Sequence, residues 1–374
     1  MRRFQFAIFV QNILSMNETQ FIPKLYTKKP ENGSVSWQSP SNIALVKYWG
    51  KYGEQLPKNA SISFTLNNCV TKTTLFYERK SSHGFEFEVY LDNTREVGFE
   101  PKIHKFFERV VLYLPFLTDY KFRIETSNSF PHSSGIASSA SGMSALSLCL
   151  LSVEKSLSSV EMTDAYFNQK ASFLARLGSG SASRSIEGDL IVWGEHPNIE
   201  GSSNLFGIKY PYTIHKNFLN YQDTILLVDK GEKQVSSTVG HDLMYDHPFA
   251  EQRFEQANNN LSFLISIFEN GDLSKFIKIV ESEALSLHAM MMTSQPYFIL
   301  MKPNTLEIIN YIWAFRNETG SKVCFTLDAG ANVHVLYPEA EKEPVLEFIK
   351  KELAQFCKNG GFIEDQSGFG AVSV

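Results

Sequence analysis

Residues 130–151 read FPHSSGIASSASGMSALSLCLL, a loop of serines, glycines and alanines that runs into an apolar segment without a single Asp, Glu, Lys or Arg. Small side chains and unpaired backbone N–H groups at a helix start, where the helix dipole is positive, make a seat for a phosphate. The segment behind the loop carries Met143, Leu146 and Leu150 on one face and Ala145, Leu148 and Cys149 on others. A helix apolar nearly all round belongs inside a core and aims its N-terminus rigidly. Ser138, Ser139 and Ser141 suit a plain helix cap equally well. The chain has no G-x-x-x-x-G-K-[ST] run, so this is not a P-loop.

Outward from this loop the two sides differ. Before it come the strand-like runs SISFTL (61–66), TKTTLFYE (71–78), FEFEVYL (85–91) and YKFRIET (120–126). One helical period precedes it at 101–117, and others lie at 140–151, 163–176, 248–269, 273–291 and 305–317. GDLIVWGE, TILLVDK, KVCFTLDAG and NVHVLYP intervene as further strands. This irregular mixture predicts α+β layers, not a doubly wound parallel sheet. The Gly-, Pro-, Ser- and Asn-rich segment 196–217 suits a connection, which predicts an N-terminal domain over 34–217 and a C-terminal domain over 218–374. Residues 1–33 read as an N-terminal extension without fixed structure. Its opening MRRFQFAIFVQNILS is broken by Gln11 and Asn12 and lacks a small-residue cleavage site, unlike a secretory signal.

A length of 374 residues suits two cores, and 43% hydrophobic with 20% charged residues is a globular composition. No apolar run reaches the ~20 residues of a membrane span. A net charge of -5 offers no general field for a nucleic-acid backbone. Cys69, Cys149, Cys324 and Cys357 are far apart, without zinc or disulfide-framework spacing, which points to a reducing cytoplasm. The nine histidines show no metal spacing either, and His241, His247 and His288 read as structural.

Three more stretches carry chemistry. RLGSGSASRS (176–185) sets Arg184 among small residues; its planar fork suits a carboxylate or phosphate, and a surface turn is the plainer reading. SPSNIALVKYWGK (39–51) places Lys47 and Lys51 around Tyr48 and Trp49, able to reach one anion or simply to solvate a strand end. TLDAGANVHVL (326–336) puts Asp328 at the end of an apolar strand before a glycine turn, where a carboxylate can serve as a base or cap the turn.

In this order the four stretches resemble the GHMP kinase superfamily, and within it the mevalonate diphosphate decarboxylase branch. Ser39, Pro40, Asn42, Ile43, Ala44 and Lys47–Lys51 match that branch's opening motif, and LPKNASISFTL (56–66) its continuation, with Ala60 in the usual serine place. The resemblance implies a two-domain GHMP kinase fold: a ribosomal-protein-S5-like N-terminal domain, a ferredoxin-like C-terminal domain and an active site in the cleft between them. It implies ATP-dependent decarboxylation of (R)-5-diphosphomevalonate to isopentenyl diphosphate, with magnesium accompanying ATP, in the mevalonate pathway. Asp328, Lys47 and Arg184 would be catalytic. Asn42, Tyr48, Trp49, Lys51, Ser179, Ser181, Arg184, Ser236 and Ser237 would bind substrate, and Ser133, Ser134, Gly135, Ala137, Ser138, Ser139 and Ser141 would hold ATP. No protein side chain is assigned to a metal. The partners implied are the two small molecules; homodimers are common in the family, though no periodicity marks an interface here. Two departures stand out: Ala331 replaces the proline usual after the catalytic aspartate, and the family's further diphosphate-binding arginine has three possible counterparts in Arg95, Lys102 and Lys105. A decarboxylase of the monophosphate, a mevalonate 3-kinase and a non-catalytic metabolite-binding relative remain as alternatives.

Overall fold

The computed structural model describes residues 18–131, 136–229 and 237–374. Two long strands organise the N-terminal lobe. β1 (Asn32–Val46) leads through a small ribbon of β2 (Lys51–Tyr52) and β3 (Leu56–Pro57) into β4 (Ser61–Arg79), and β1 and β4 pair antiparallel along their lengths. The two runs SISFTL and TKTTLFYE are thus one strand. Its first six residues are all buried because the other lobe packs there, whereas the stretch after Cys69 alternates buried and partly exposed as one face meets water.

β5 (Glu86–Leu91), β6 (Thr94–Arg95) and β7 (Tyr120–Asn128) extend this sheet, and helix α1 (Glu100–Val110) makes the crossover that lets β5 and β7 run parallel. Helices α2 (Ser138–Leu157) and α3 (Asp164–Gly178) pack on it, the latter started by Thr163, whose hydroxyl accepts from Tyr166 N at 3.2 Å. β8 (Leu190–Trp193) pairs with the start of β4, and β9 (Ile208–Lys209) with β8. Phe106, Phe107, Phe122, Leu146, Leu150, Phe173 and Leu174 fill the core between sheet and helices.

The C-terminal lobe is a four-stranded antiparallel sheet of β10 (Gln222–Leu226), β11 (Cys324–Thr326), β12 (Val333–Tyr337) and β13 (Phe362–Gln366). The spatial order is β11–β12–β10–β13. Helices α4 (Ser237–Asp242), α5 (Ala250–Asn270), α6 (Leu273–Thr293) and α7 (Pro303–Thr319) fall between the first and second strands, and α8 (Lys342–Phe348) between the third and fourth. Such a second-third-first-fourth order with helical crossovers is ferredoxin-like. α5 ends on Gly271 at φ 74°, and Asp272 then caps α6 by accepting from Lys275 N at 3.0 Å.

Two carboxylates join the lobes. Asp365 on β13 accepts the amides of Asn67, Asn68 and Cys69 on β4 at 2.8–2.9 Å, and Glu283 on α6 accepts the amide of Lys47 at 2.8 Å. No helix among the described residues is long and apolar enough to cross a membrane.

The structure corrects two boundaries. From Glu18 onward the expected unstructured extension is packed: Phe21 is fully buried and stacks on Phe173 at 4.4 Å, and Tyr26 donates to the buried Glu154 at 3.0 Å. A single aromatic is enough to anchor such a strap, and it leaves no periodic signal. Residues 1–17 lie outside the described residues. The chain end, expected in the C-terminal domain, returns to the first sheet as β14 (Val372–Ser373), which pairs with Trp37 and Gln38 of β1.

Candidate active site

A cleft of about 570 Å³ opens between the lobes, and most of the side chains singled out by sequence line it. Its centre is an ion pair across the lobe boundary. β1 delivers Lys47, whose backbone is held at both ends, by Glu283 on its amide and by Asn59 Nδ2 on its carbonyl at 2.9 Å. Arg253 and Asn260 in turn hold Glu283. Lys47 Nζ stands 3.4 Å from Asp328 Oδ1, with side-chain exposures of 2% and 29%. The ammonium is therefore sealed in while the carboxylate looks into the cleft. Burial pulls the Lys47 pKa below its ordinary value, and the neighbouring Asp328 and Glu283 oppose that shift.

Asp328 lies just beyond β11. Its carbonyl accepts from Gly330 N at 2.7 Å and from His288 Nε2 at 3.1 Å, which fixes the backbone and leaves the carboxylate to face the cleft. Burial holds His288 down at about 4, so it makes this contact as a neutral donor. Where the family has proline, Ala331 is pinned through its carbonyl by Thr305 Oγ1 at 2.6 Å, and the next residue, Asn332, accepts the amide of Asp229 at 2.9 Å. These bonds stiffen the loop that a proline ring would otherwise restrict.

Arg184 ends the 3₁₀ turn Gly180–Arg184 and lies over the Trp193 ring at 5.7 Å, its Nε donating to Ser63 Oγ at 2.6 Å and its Nη1 to Ser61 Oγ at 2.7 Å. Burial lowers its pKa to about 10, which still leaves it charged at neutral pH. Among the described residues no carboxylate lies within ion-pair distance of it. A buried, oriented and unneutralised guanidinium is a ready receptor for an anion. Gly180 is required here: a Cβ would come within 2.8 Å of Tyr48 Oη and 2.9 Å of Trp193 Cη2. The Tyr48 hydroxyl is buried without a hydrogen-bond partner among the described residues, and burial raises its pKa.

The serines divide. Ser138 and Ser139 line the cleft at the start of α2, which Ala137 enters at φ 45°, and Ser139 Oγ comes within 3.4 Å of Ser179 Oγ. Ser181 lines it too, and its carbonyl accepts from Asn42 Nδ2 at 3.1 Å. Ser141, expected with the ATP group, instead turns inward and bonds Thr71 Oγ1 at 2.6 Å, tying α2 to β4. Ser133, Ser134, Gly135 and Ser236 lie outside the described residues, and Ser237 is the first residue of α4.

Trp49 and Lys51 both line the cleft, and Lys51 Nζ is 3.7 Å from Asp242. Of the three counterparts considered for the further arginine, Arg95 is tied to Glu88 and Glu100, Lys105 is exposed outside the cleft, and Lys102 lines it. The sequence reading missed one wall altogether. Val89, Leu91, Phe99, Ile103, Ile124 and Met143 form an apolar recess fringed by Thr71, Thr73, Thr126 and Asn128. No motif marks residues drawn from so many elements. Of the histidines read as structural, His247 bonds Met290 O at 3.0 Å inside the lobe, and His241 accepts the Gly50 amide while also lining the cleft. Among the described residues no group of three His, Cys, Asp or Glu side chains is arranged to hold a metal.

A helix start lined with serines, facing a carboxylate and a sealed lysine across two such lobes, defines a phosphoryl-transfer enzyme of the GHMP kinase type. Residues 39–204 match the diphosphomevalonate decarboxylase-like N-terminal domain, and residues 224–368 the mevalonate 5-diphosphate decarboxylase C-terminal domain. The diphosphomevalonate decarboxylase of Saccharomyces cerevisiae is 28% identical over 330 residues, 84% of this chain and 80% of its own. The solved mevalonate diphosphate decarboxylase from Legionella pneumophila is 30% identical with a TM-score of 0.74, covering 88% of this chain and 100% of that one. Equally similar to this chain are the enzyme from Enterococcus faecalis and the structure of MDDEF in complex with MVAPP, AMPPCP and magnesium. Both are 26% identical with a TM-score of 0.77, covering 92% of this chain and 99% of the other. The chain belongs to the mevalonate diphosphate decarboxylase family and is an enzyme of that kind, acting in ATP-dependent decarboxylation of mevalonate diphosphate.

Proposed function

We propose that this chain converts (R)-5-diphosphomevalonate, with ATP, to isopentenyl diphosphate, ADP, phosphate and carbon dioxide, with Asp328, Lys47 and Arg184 at the reacting end of the substrate. The observation that carries this reading is the Lys47–Asp328 pair, whose carboxylate is the more exposed partner in a cleft that both line together with the unneutralised Arg184. A tertiary hydroxyl is a poor leaving group and must be phosphorylated before it departs. Asp328 accepts the proton of the 3-hydroxyl as its oxygen attacks the γ-phosphorus, and ADP leaves. Lys47, whose charged form Asp328 favours against the opposing effect of burial, steadies the negative charge on the group in transfer. The carbon–oxygen bond to the new phosphate then breaks with its electron pair. The bond to the carboxylate carbon supplies electrons for the new double bond, and carbon dioxide departs. Arg184 orients that carboxylate with a planar fork, and Ser179, Ser181 and Asn42 shape the turn around it.

Ser138 and Ser139 at the α2 start take the ATP phosphates, and the apolar recess from Val89 to Met143 suits the adenine ring, with Thr126 and Asn128 at its edge. Ser138 and Ser139 at the α2 start, beside the ATP phosphates, would help to hold the magnesium that accompanies ATP. When bound it neutralises phosphate charge. Tyr48, Lys51 and Lys102 supply a donor and two cations to the remaining anionic groups. A product balance with ATP, magnesium and diphosphomevalonate tests the reading. Equal ADP, phosphate and carbon dioxide are expected; ADP alone would make the enzyme a kinase, and preference for the monophosphate would reassign the substrate.

A further inference from the structure

His241 is held in a way that neither the fold nor the chemistry above uses. Its Nδ1 accepts the backbone N–H of Gly50 at 3.0 Å. A protonated imidazole has no acceptor, so the ring is neutral and its one proton sits on Nε2. That nitrogen has no hydrogen-bond partner among the described residues, although His241 lines the cleft and is 8% exposed. The ring is also locked in place. It packs on Tyr48 at 4.3 Å and Trp49 at 4.7 Å, and the preceding residue is Gly240, where a Cβ would meet Trp49 Cη2 at 2.5 Å. A fixed imidazole with a single unspent donor facing a binding cleft is built to meet an acceptor.

The neighbours indicate which acceptor. Burial, with Lys51 and Arg184 of the same cleft adding to it, pushes the His241 pKa down to about 3. A third cation is therefore excluded, while a neutral donor in a cleft that also holds two cations is what a multiply charged anion can use. Tyr48 stands between the imidazole and the Gly178–Ser181 turn, its hydroxyl close to Gly180 and its ring against His241. His241 thus stands with Tyr48 and Lys51, the side chains the function proposed above gives to the substrate's anionic groups, which favours a substrate anion over ATP.

We propose that His241 Nε2–H donates to a phosphoryl oxygen of the substrate's diphosphate, making His241 a substrate-binding residue on the Lys51 side of the cleft. The inference rests on the function proposed above. Two substitutions separate it from a structural role. His241→Asn keeps an acceptor for Gly50 N–H but has nothing at the Nε2 position; His241→Gln places an amide donor near that position and gives up the Gly50 contact. In steady-state assays with the full chain, ATP and magnesium, His241→Asn is expected to raise KM for diphosphomevalonate roughly 10–100-fold, the scale of a hydrogen bond to a charged group. KM for ATP and the melting temperature should stay close to wild type. His241→Gln should recover most of the lost affinity. Wild-type-like KM for His241→Asn, or failure of His241→Gln to bind better than His241→Asn, would overturn the proposal. So would a rise confined to KM for ATP. Failure of the parent reading looks different: the wild-type enzyme itself would not turn over diphosphomevalonate.

Discussion

Replacing Asp328 with asparagine preserves the shape of the side chain and deletes its charge, which isolates the role of the carboxylate. The structure sets two separate costs. The first falls on Lys47, whose ammonium lies 3.4 Å from Asp328 Oδ1; at an effective dielectric of ~20 this attraction is about 5 kcal/mol, an upper figure for what the lysine loses. Lys47 is buried, and its other carboxylate neighbour, Glu283, is already bound by Arg253 and Asn260, so the lysine in Asp328→Asn should shed its proton more readily. The second cost is catalytic. Without a group to accept the hydroxyl proton, kcat should fall on the order of 10²–10⁴-fold. Because phosphoryl transfer comes first, ADP and carbon dioxide should be lost together, and a rapid-quench single turnover should find no 3-phosphorylated intermediate. The pair acts as one unit, so Lys47→Met added to Asp328→Asn should cost far less than it does alone in the wild type. ADP release by Asp328→Asn at near the wild-type rate would refute the reasoning, and so would full additivity of the two substitutions.

Arg184→Lys keeps the charge but can satisfy at most part of the fork that reaches Ser61 and Ser63, so kcat/KM for diphosphomevalonate should fall about 10–100-fold with ATP binding retained; loss of ATP binding alone would place Arg184 on the nucleotide side. Phe21→Ala removes a fully buried ring stacked on Phe173 and should cost roughly 3–5 kcal/mol in urea denaturation, whereas an unchanged midpoint would mean the strap from Glu18 does not pack as described. His288 has a folded pKa of about 4, below its ordinary 6.5, so its stabilising contribution is complete above pH 6.5 and is lost as pH falls towards 4, when only the unfolded chain takes up the proton. Between pH 7 and pH 5 this amounts to about 2 kcal/mol, and His288→Gln, which keeps a donor for the Asp328 carbonyl, should shrink the pH-dependent loss in denaturation midpoints by that much. A variant as acid-sensitive as wild type would show that His288 titrates normally.

The chemistry written into short stretches was legible because its causes are local. A serine- and glycine-rich loop before an apolar run marks a helix start, fit for a phosphate or a plain cap, and α2 does begin at Ser138. A carboxylate after a buried strand and a guanidinium among glycines and serines carry the same kind of local logic, and Asp328 and Arg184 do line the cleft. Strand periods concentrated before the loop, and helical periods mixed with further strands mostly after it, were sufficient for the α+β class. What the local pattern lacks is direction. Because α2 is apolar nearly all round, nothing in its sequence says that Ser138 and Ser139 face the cleft while Ser141 turns to Thr71. The strap at Phe21 and the return of β14 to the first sheet depend on partners 152 residues away at Phe173 and 334–336 residues away at Gln38 and Trp37, and so leave no periodic trace. The Lys47–Asp328 pair spans 281 residues and forms across a lobe boundary that Glu283 and Asp365 help to clamp. His241 is the clearest case. A lone histidine in a polar run is chemically mute until packing decides which ring nitrogen is spent on Gly50 and which is left facing the cleft. Residue types set the available chemistry; long-range packing alone set which atoms meet.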